Sequence, residues 1–217
     1  MQTVVTAKEL KQQLLKTLQS VKAKFGEVKG APITDNKIQS ASAKEIEALV
    51  VKLEAVNPNY RPLLFNPKLL DGSWQLLYST AREIRNLSSL PLGLKVGKVY
   101  QIIDVASGSF FNRAFVRHSF GLVAGEVKVT ARFEPVVGEN NLPDKRLNVY
   151  FQERYLGISN ILGVRTPGLN PARIVPARGP AGRIPSLDIT YLDETFRIGR
   201  GGEGSLFVLL KSDPDEN

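Results

Sequence analysis

The chain of 217 residues contains one histidine and no cysteine, so very few side chains could carry out nucleophilic or metal chemistry. The absence of cysteine excludes disulfides, thiolate zinc sites and cysteine nucleophiles, and a single histidine excludes multi-histidine metal centres. His118 has Ser119, Ser107 and Asp104 near it in sequence, the residue types of a Ser-His-Asp hydrolase. No Gly-x-Ser-x-Gly turn accompanies them. We therefore expect His118 to be structural or exposed, and we expect no enzyme activity, no metal and no cofactor.

Residues 199–204, Gly-Arg-Gly-Gly-Glu-Gly, match the dinucleotide fingerprint G-x-G-x-x-G. That fingerprint must open a helix, whereas the apolar run 205–210 that follows is typical of a strand, so we expect a hairpin turn. Arg200-Gly201-Gly202 also resembles a single RNA-binding RGG unit, and one copy does not predict a specific nucleic-acid partner. Asp193 and Glu194 are adjacent, so in an extended strand they point to opposite faces and could not share a substrate, and we expect no metal bound by this pair.

The composition is that of a folded globular chain, with 42% hydrophobic and 23% charged residues. This length corresponds to one domain or one domain with an appendage. The net charge is +8. Residues 1–70 contribute +5 of this charge, because they hold 11 Lys/Arg against 6 Asp/Glu. A basic chain favours an anionic partner, either a lipid surface or a nucleic acid. No apolar run approaches the roughly 18 residues of a membrane-spanning helix.

The first residues show neither the pattern of a secretory signal peptide nor that of an organellar transit peptide. We therefore expect a bacterial cytosolic chain, or one that has already been processed.

Residues 1–60 are predicted to form a helical hairpin. Thr6 with Glu9, and Ser42 with Glu45, have the capping-box spacing that begins a helix, and an apolar stripe at intervals of three and four follows each pair. The first helix carries five lysines on its polar side, typical of a helix on an anionic membrane: Lys8, Lys11, Lys16, Lys22 and Lys24. The alternative is that the stripe packs on the second helix or on the body and the lysines face water.

Residues 61–217 show a period of two, most clearly at 123–133, and about eight such segments are separated by turns. This pattern indicates a mainly β antiparallel sandwich or a closed barrel. The alternation directs one set of side chains inward as candidate cavity residues, with Trp74 at the closed end: Trp74, Val127, Val129, Phe133, Val149, Phe151, Ile189 and Tyr191. The alternative for each is ordinary core packing, and a bulge would shift the parity.

The segment Gly163 to Pro185 breaks the strand pattern, with five prolines, four arginines and no acid. Prolines disfavour sheet pairing, so we expect a long structureless loop. Its arginines suit phosphate or lipid head groups and are candidate membrane-surface residues: Arg165, Arg173, Arg178 and Arg183. The alternative is a solvated loop without a partner.

Three motifs carry a resemblance to a known family. They are Leu-Asp-Gly-Ser-Trp-Gln-Leu-Leu-Tyr at 70–78, Gly-x-x-x-Gln-x-Ile-Asp at 97–104, and Tyr-Leu-Asp-Glu-Thr-Phe-Arg-Ile-Gly-Arg-Gly at 191–201. In this order, over about residues 60–212, they resemble the plastid lipid-associated protein family, also called fibrillins. The sequence is similar to a cyanobacterial-type member of that family.

The resemblance implies a lipocalin-like (calycin) antiparallel β-barrel preceded by the helical hairpin. It also implies association with thylakoids or lipid globules, in the cyanobacterial cytoplasm or, in plant relatives, in plastids and plastoglobules. The residues that match the family motifs are expected to be architectural: Gly72, Trp74, Asp193, Arg197 and Arg200. A cation-π contact of Trp74 with Arg197 or Arg200 is expected at one end of the barrel.

These observations together predict a non-enzymatic protein that binds a hydrophobic small molecule or lipid, or rests peripherally on a membrane. A second hypothesis is an enzyme on the same architecture, similar to a bilin-chromophore lyase, in which Arg113 and Arg117, beside Phe111 and Phe115, would pair with propionates. A third is a basic RNA- or protein-binding module. The ligand and the oligomeric state are not determined by the sequence.

Overall fold

A computed structural model describes residues 5–25, 30–87, 90, 93–138, 140–177, 179 and 182–212. Its helices are α1 Ala7–Phe25, α2 Ser40–Ala55, α3 Pro62–Phe65 and α4 Arg82–Leu87. Its strands are β1 Ile33–Thr34, β2 Gly72–Ser79, β3 Leu94–Asp104, β4 Ser109–His118, β5 Val123–Val137, β6 Pro143–Ile161, β7 Val164–Arg165, β8 Arg173–Pro176, β9 Ser186–Leu192, β10 Phe196–Gly201 and β11 Leu206–Lys211.

Eight strands close into an antiparallel barrel in the order β2-β3-β4-β5-β6-β9-β10-β11. The ring is completed because β2 pairs with β11 along one edge and with β3 along the other. β1 adds a short parallel pairing beside the last residues of β2. These are the eight strands that the alternation predicts, and the lipocalin-like barrel with helices before it is confirmed.

One end of the barrel, which we call the floor, is closed by the connector that leads into β2. Leu63 of α3 and Leu70 of the following 3-10 turn are buried in the same core cluster as Trp74. On the inward face of β4 and β5, Asn112, Val127 and Val129 are only half-buried, so solvent reaches part of the interior. We call the end of the barrel opposite the floor the mouth.

The helices α1 and α2 pack against the outside of the barrel with the apolar stripes that their sequences predict. The stripe consists of Leu10, Leu14, Leu18 and Val21 in α1 and of Ile46, Leu49, Val50 and Leu53 in α2. It joins a buried cluster with outward side chains of the barrel: Tyr78, Tyr191, Phe196, Ile198, Leu206 and Val208. The apolar face of α1 is therefore covered by protein.

The two predicted capping boxes have different outcomes. At α1 the box is confirmed, because the Thr6 amide donates to Glu9 Oε2 at 2.8 Å and the Glu9 amide donates to Thr6 Oγ1. At α2 the prediction is wrong, because the helix begins at Ser40 and its N-cap residue Gln39 makes no side-chain cap. Glu45 instead accepts a hydrogen bond from Thr17 of α1, so this carboxylate joins the two helices.

β-Bulges in two barrel strands exchange the inward-facing and outward-facing positions partway along each strand. In β2, Val208 pairs with Tyr78 and Leu209 with Leu76, which leaves Leu77 unpaired in this ladder. In β9, Ile198 pairs with Tyr191 and Gly199 with Ile189, which leaves Thr190 unpaired. Each extra residue reverses the inward and outward parity beyond it. Each of these strands therefore supplies side chains to the barrel interior on one side of its bulge and to the surface beneath the helices on the other side.

Tyr191 is the cavity candidate that this reversal displaces. Strict alternation with Ile189 places Tyr191 inside the barrel, whereas the structure places it outside, in the cluster beneath the helices. The bulge at Thr190 is the physical reason.

The expectation of a structureless segment from Gly163 to Pro185 is wrong in part. β7 pairs with the end of β6, and β8 pairs with β6 residues 153–156. Pro176 occupies the last position of β8 and Pro171 precedes it, so neither proline interrupts the strand interior. The segment is thus attached to β6 at the mouth.

Alanine substitutions at a buried and an exposed position of α2 should have different effects on stability. Leu53 is fully buried, so the Leu53→Ala variant should lose about 2–5 kcal/mol of unfolding free energy in urea denaturation. Val51 is 52% exposed on the same helix, and the Val51→Ala control should lose only about 0.5 kcal/mol. Equal, small losses for both would contradict the packing of α2 on the barrel.

Candidate functional site

The floor of the barrel is built around the indole of Trp74. Its side chain is fully buried, and its Nε1 donates to the Leu70 carbonyl at 2.8 Å. The Lys211 ammonium lies 4.9 Å from the ring centroid and donates to the Asp71 carbonyl at 2.7 Å, which places it on the connector side. Gly72 begins the strand with φ +98°, a conformation that disfavours any other residue. These contacts fix the connector across the end of the barrel.

Arg197 reaches the same ring from within the barrel. Its guanidinium carbon lies 5.0 Å from the centroid of Trp74, and its Nη2 donates to Gln101 Oε1 at 2.5 Å. Since β11 and β2 lie between β10 and β3, the side chain crosses the interior to make this bond. Burial lowers the pKa of Arg197 to about 9, so it remains charged at neutral pH. The expected cation-π contact is confirmed for Arg197.

A polar line continues from Arg197 across the interior. Gln101 Nε2 donates to Asn112 Oδ1 at 3.0 Å, and both of these inward-facing side chains are half-buried. The structure places the other cavity candidates on the inward face, with Phe133, Val149 and Ile189 buried and Val127, Val129 and Phe151 half-buried. The interior is therefore apolar on its walls, with a polar line near the floor.

Asp193, in the β9-β10 turn, attaches α1 to the outside of the barrel. It accepts hydrogen bonds from Lys11 Nζ at 2.5 Å, from Tyr191 Oη and from the amides of Thr195 and Phe196. Burial raises the pKa of Asp193, but the bonds from Lys11, Thr195 and Tyr191 outweigh it, and the pKa lies below its ordinary value.

Arg200 attaches α2 in a similar way. Its guanidinium donates to Glu54 at 2.7 Å and to Glu47 at 2.6 Å, and the hydrogen bond to Glu54 raises the pKa of Arg200. The motif residues Asp193 and Arg200 therefore fasten the helices to the barrel, whereas Arg197 between them points inside.

The tips of two hairpins at the mouth expose large apolar side chains that the sequence analysis did not select. Phe120 is 84%, Leu162 71%, Val164 66% and Leu122 43% exposed. The Leu162 amide donates to the Leu122 carbonyl at 2.8 Å, so the two tips adjoin. We call these four residues the apolar tip. The sequence feature that indicates this site is the presence of bulky apolar residues beside Gly121 and Gly163, in turns that ordinarily hold polar residues.

The predicted membrane arginines surround the apolar tip unevenly. Arg165 and Arg173 are exposed, on β7 and β8. Arg183 is also exposed and pairs with Glu203 in the β10-β11 turn. Arg178 lies outside the described residues. Neither 105–125 nor 154–187 contains an acid, so the sequence around the tip is purely basic.

The structure of α1 keeps exposed lysines but lacks the free apolar face of a helix that lies on a membrane. Lys8, Lys16 and Lys24 are exposed, whereas Lys11 binds Asp193 and Lys22 donates to the Ala31 carbonyl at 2.7 Å. The apolar stripe that would insert into lipid is buried. In the part of the chain that the structure describes, no helix has the length and apolarity needed to cross a membrane.

The residues that could form a hydrolase triad lie at opposite ends of β4. Ser107 contacts Asp104 and Ser109 at the floor end, whereas His118 lies at the mouth end. His118 Nδ1 accepts from the Phe120 amide, and the serine that follows it in sequence donates to the Gly93 carbonyl. Among the described residues no three histidine, aspartate or glutamate side chains could together hold a metal ion.

The arginine-aromatic face required by the lyase hypothesis points away from the interior. Phe111, Arg113 and Phe115 alternate with inward residues of β4, on the outer face. The Arg113 guanidinium lies 4.6 Å from the Phe115 ring centroid and pairs with Glu126 at 2.6 Å. Of the glycine-rich run 199–204, Gly199–Gly201 belong to β10, and the predicted hairpin turn is limited to residues 202–205, with the Gly201 amide donating to the Ser205 carbonyl.

The barrel wall has a groove where β6 passes residues 182–185. It has a volume of about 260 Å³ and is lined by Val149, Phe151 and Ile184 among others. Small-molecule sites span about 300–1,000 Å³, so this groove is marginal for a ligand of its own. Since Val149 and Phe151 belong to the inward face of β6, the groove adjoins the interior of the barrel.

The closed eight-stranded barrel, with its tryptophan floor and N-terminal helices, defines the chain as a lipocalin-like barrel protein. The chain belongs to the PAP_fibrillin family, whose family model matches residues 8–210. The resemblance read from the motifs is thus confirmed.

Similar curated proteins carry names that refer to plastid lipids. The chain is 32% identical over 196 residues to plastoglobulin-1, chloroplastic, of Pisum sativum, covering 77% of this chain and 54% of that protein. It is 35% identical over 195 residues to plastid lipid-associated protein 3, chloroplastic, of Brassica campestris, covering 77% and 53%. It is 31% identical over 194 residues to a chromoplast-specific carotenoid-associated protein of Cucumis sativus, covering 77% and 60%. The chain spans about half the length of the first two relatives.

The depressed pKa of Asp193 predicts a pH dependence of stability. A carboxyl with a lowered folded pKa contributes stability above its unfolded pKa, about 3.9, and loses it as pH falls through the folded value. The Asp193→Asn variant should be less stable than wild type at pH 7 by about 1–3 kcal/mol, and the gap should narrow below about pH 4. Urea denaturation across this pH range measures it.

Glu194→Gln is the matched control, since it removes the same charge from the adjacent, exposed residue. It should change stability by about 0.5 kcal/mol or less. A gap for Asp193→Asn that stays constant between pH 7 and pH 3 would contradict the attachment of α1 through an ionised Asp193.

Proposed function

We propose that this chain is a non-enzymatic lipid-associated protein that holds a hydrophobic small molecule, of the isoprenoid or acyl-lipid class, inside its barrel. The observation that carries the proposal is the half-buried apolar wall at Val127 and Val129 above a sealed floor. Apolar side chains in a packed core are normally buried, so inward residues that solvent still reaches leave room for an apolar ligand.

The family and the chemistry of the chain support this proposal. The similar proteins are named for plastid lipids, plastoglobules or a carotenoid. Ser107 and His118, the side chains from which a hydrolase could be built, lie at opposite ends of one strand. We therefore infer that the barrel binds a ligand rather than catalyses a reaction. We also infer that the protein is located at thylakoids or lipid globules.

We also propose that the mouth of the barrel rests on the lipid surface. The apolar tip offers side chains to the acyl region, and the exposed Arg165 and Arg173 offer positive charge to the head groups. Burying one large apolar side chain contributes about 1.5–3 kcal/mol, so several together support reversible binding. In this orientation a ligand passes between membrane and barrel without crossing water.

Filling the interior should block ligand binding. The Val129→Trp variant adds an indole to the half-buried inward wall and should weaken the binding of a neutral isoprenoid roughly tenfold or more. Thr130→Trp places the same side chain on the outward face of β5 and is the control. Fluorescence titration with a polyene ligand measures both, and equal affinities would contradict an interior site.

Removing the apolar tip should release the protein from lipid. Phe120→Ser with Leu162→Ser should reduce flotation with vesicles that contain phosphatidylglycerol by roughly tenfold or more. Tyr60→Ser with Phe65→Ser removes a comparable exposed apolar pair, 68% and 56% exposed, from the α3 connector beyond the floor. This control should float like wild type, and an equal loss in both would contradict the proposed orientation.

A further inference from the structure

We propose that the barrel takes a single-chain amphiphile with a carboxylate head, seated on Arg197 with its apolar tail directed to the mouth. This inference deepens the proposed function and rests on it. It names the polar group that the interior recognises.

Arg197 is the most deeply buried cation for which the structure gives an exposure, and it has no charged partner. Its exposure is 2%, yet within the described residues no carboxylate pairs with it. The less buried Arg85, Arg113, Arg146 and Arg200 each pair with a carboxylate at 2.6 or 2.7 Å. An unpaired buried charge is costly, so Arg197 is the place where an anion would contribute most.

The guanidinium also has unused hydrogen-bond donors. Arginine has five N–H groups, and the described side chains give Arg197 one acceptor, Gln101 Oε1. The face of Trp74 supplies a second contact but no acceptor atom. A carboxylate provides two oxygen atoms in one plane, which match the planar fork of N–H donors.

The strand register directs Arg197 into the barrel rather than into the connector. Arg197 pairs with Leu209, which pairs with Leu76, whereas Lys211 pairs with Trp74 one inward step nearer the floor. Lys211 is occupied with carbonyl groups of the connector. The two cations on Trp74 are therefore separated: Lys211 closes the floor, and Arg197 faces the interior.

The inward side chains beside the guanidinium are less buried than Arg197 itself. Gln101 and Asn112 face inward and are half-buried, so solvent reaches this polar line although it hardly reaches Arg197. The apolar wall beside them consists of Val129, which pairs with Asn112, and Val127, one inward step nearer the mouth. A ligand with its carboxylate head on Arg197 and its hydrocarbon tail along this wall would place each part of the ligand against protein groups of matching polarity.

A matched pair of ligands tests the proposal: a long-chain fatty acid and the alcohol of the same chain length. Trp74 is the one tryptophan of the chain and adjoins Arg197, so its fluorescence reports binding. The acid should bind wild type at least about tenfold more tightly than the alcohol. In Arg197→Met this preference should disappear, while affinity for the alcohol is kept.

Lys211→Met is the control, because it removes a cation from the same ring on the connector side. It should keep the preference for the acid. Gln101→Leu is a second variant that leaves Arg197 in place and should reduce the preference severalfold, which keeps the test decisive if Arg197→Met does not fold.

The outcomes separate this inference from the proposed function. Equal binding of acid and alcohol by wild type overturns the carboxylate site and leaves the hydrophobic interior standing. A preference that persists in Arg197→Met, or in Gln101→Leu where the former does not fold, also overturns it. Binding of neither ligand by wild type overturns the carboxylate site, and the proposed function is then decided by the titration with the polyene ligand.

Discussion

The contact between Trp74 and its two cations is the interaction on which the rest of the structure depends. The indole closes the floor, donates to Leu70 in the connector, and holds Lys211 and Arg197 within 5.0 Å of its centroid. Each cation-π contact contributes about 0.5–2 kcal/mol. Arg197 is buried within the barrel, whereas Lys211 is exposed on the connector side. The connector is therefore fixed across this end of the barrel by the buried Trp74.

A second constraint is that the same strands serve two cores. β2 and β9 begin or end inside the barrel and, beyond a bulge, present Tyr78 and Tyr191 to the helices. Ion pairs at Asp193 and Arg200 then fasten α1 and α2 over that outer face. The helices are therefore integral to the barrel, and the apolar stripe of α1 is covered by protein.

Local patterns in the sequence predicted much of this architecture because period-two alternation and capping are local properties. The eight strands, the Thr6 cap and the contact of Arg197 with Trp74 followed from residue spacing or family motifs. Tyr191 was misplaced because a bulge depends on the neighbouring strand, and Ser42 because its helix begins two residues earlier. β7 and β8 were missed because prolines at strand ends look like prolines within a loop. The exposure of Phe120 and Leu162 required knowledge of which turns adjoin.

In the function that we propose, the Trp74 floor, the apolar interior and the mouth form one path for a hydrophobic ligand. The most direct test of this path is quenching of Trp74 fluorescence by two agents, water-soluble acrylamide and a bromine-labelled neutral isoprenoid. The account predicts weak quenching by acrylamide, since the indole is fully buried, and strong, saturable quenching by the isoprenoid from within the barrel. Strong quenching by acrylamide, or none by the isoprenoid, would contradict a floor that is closed to water and an interior that is open to lipid.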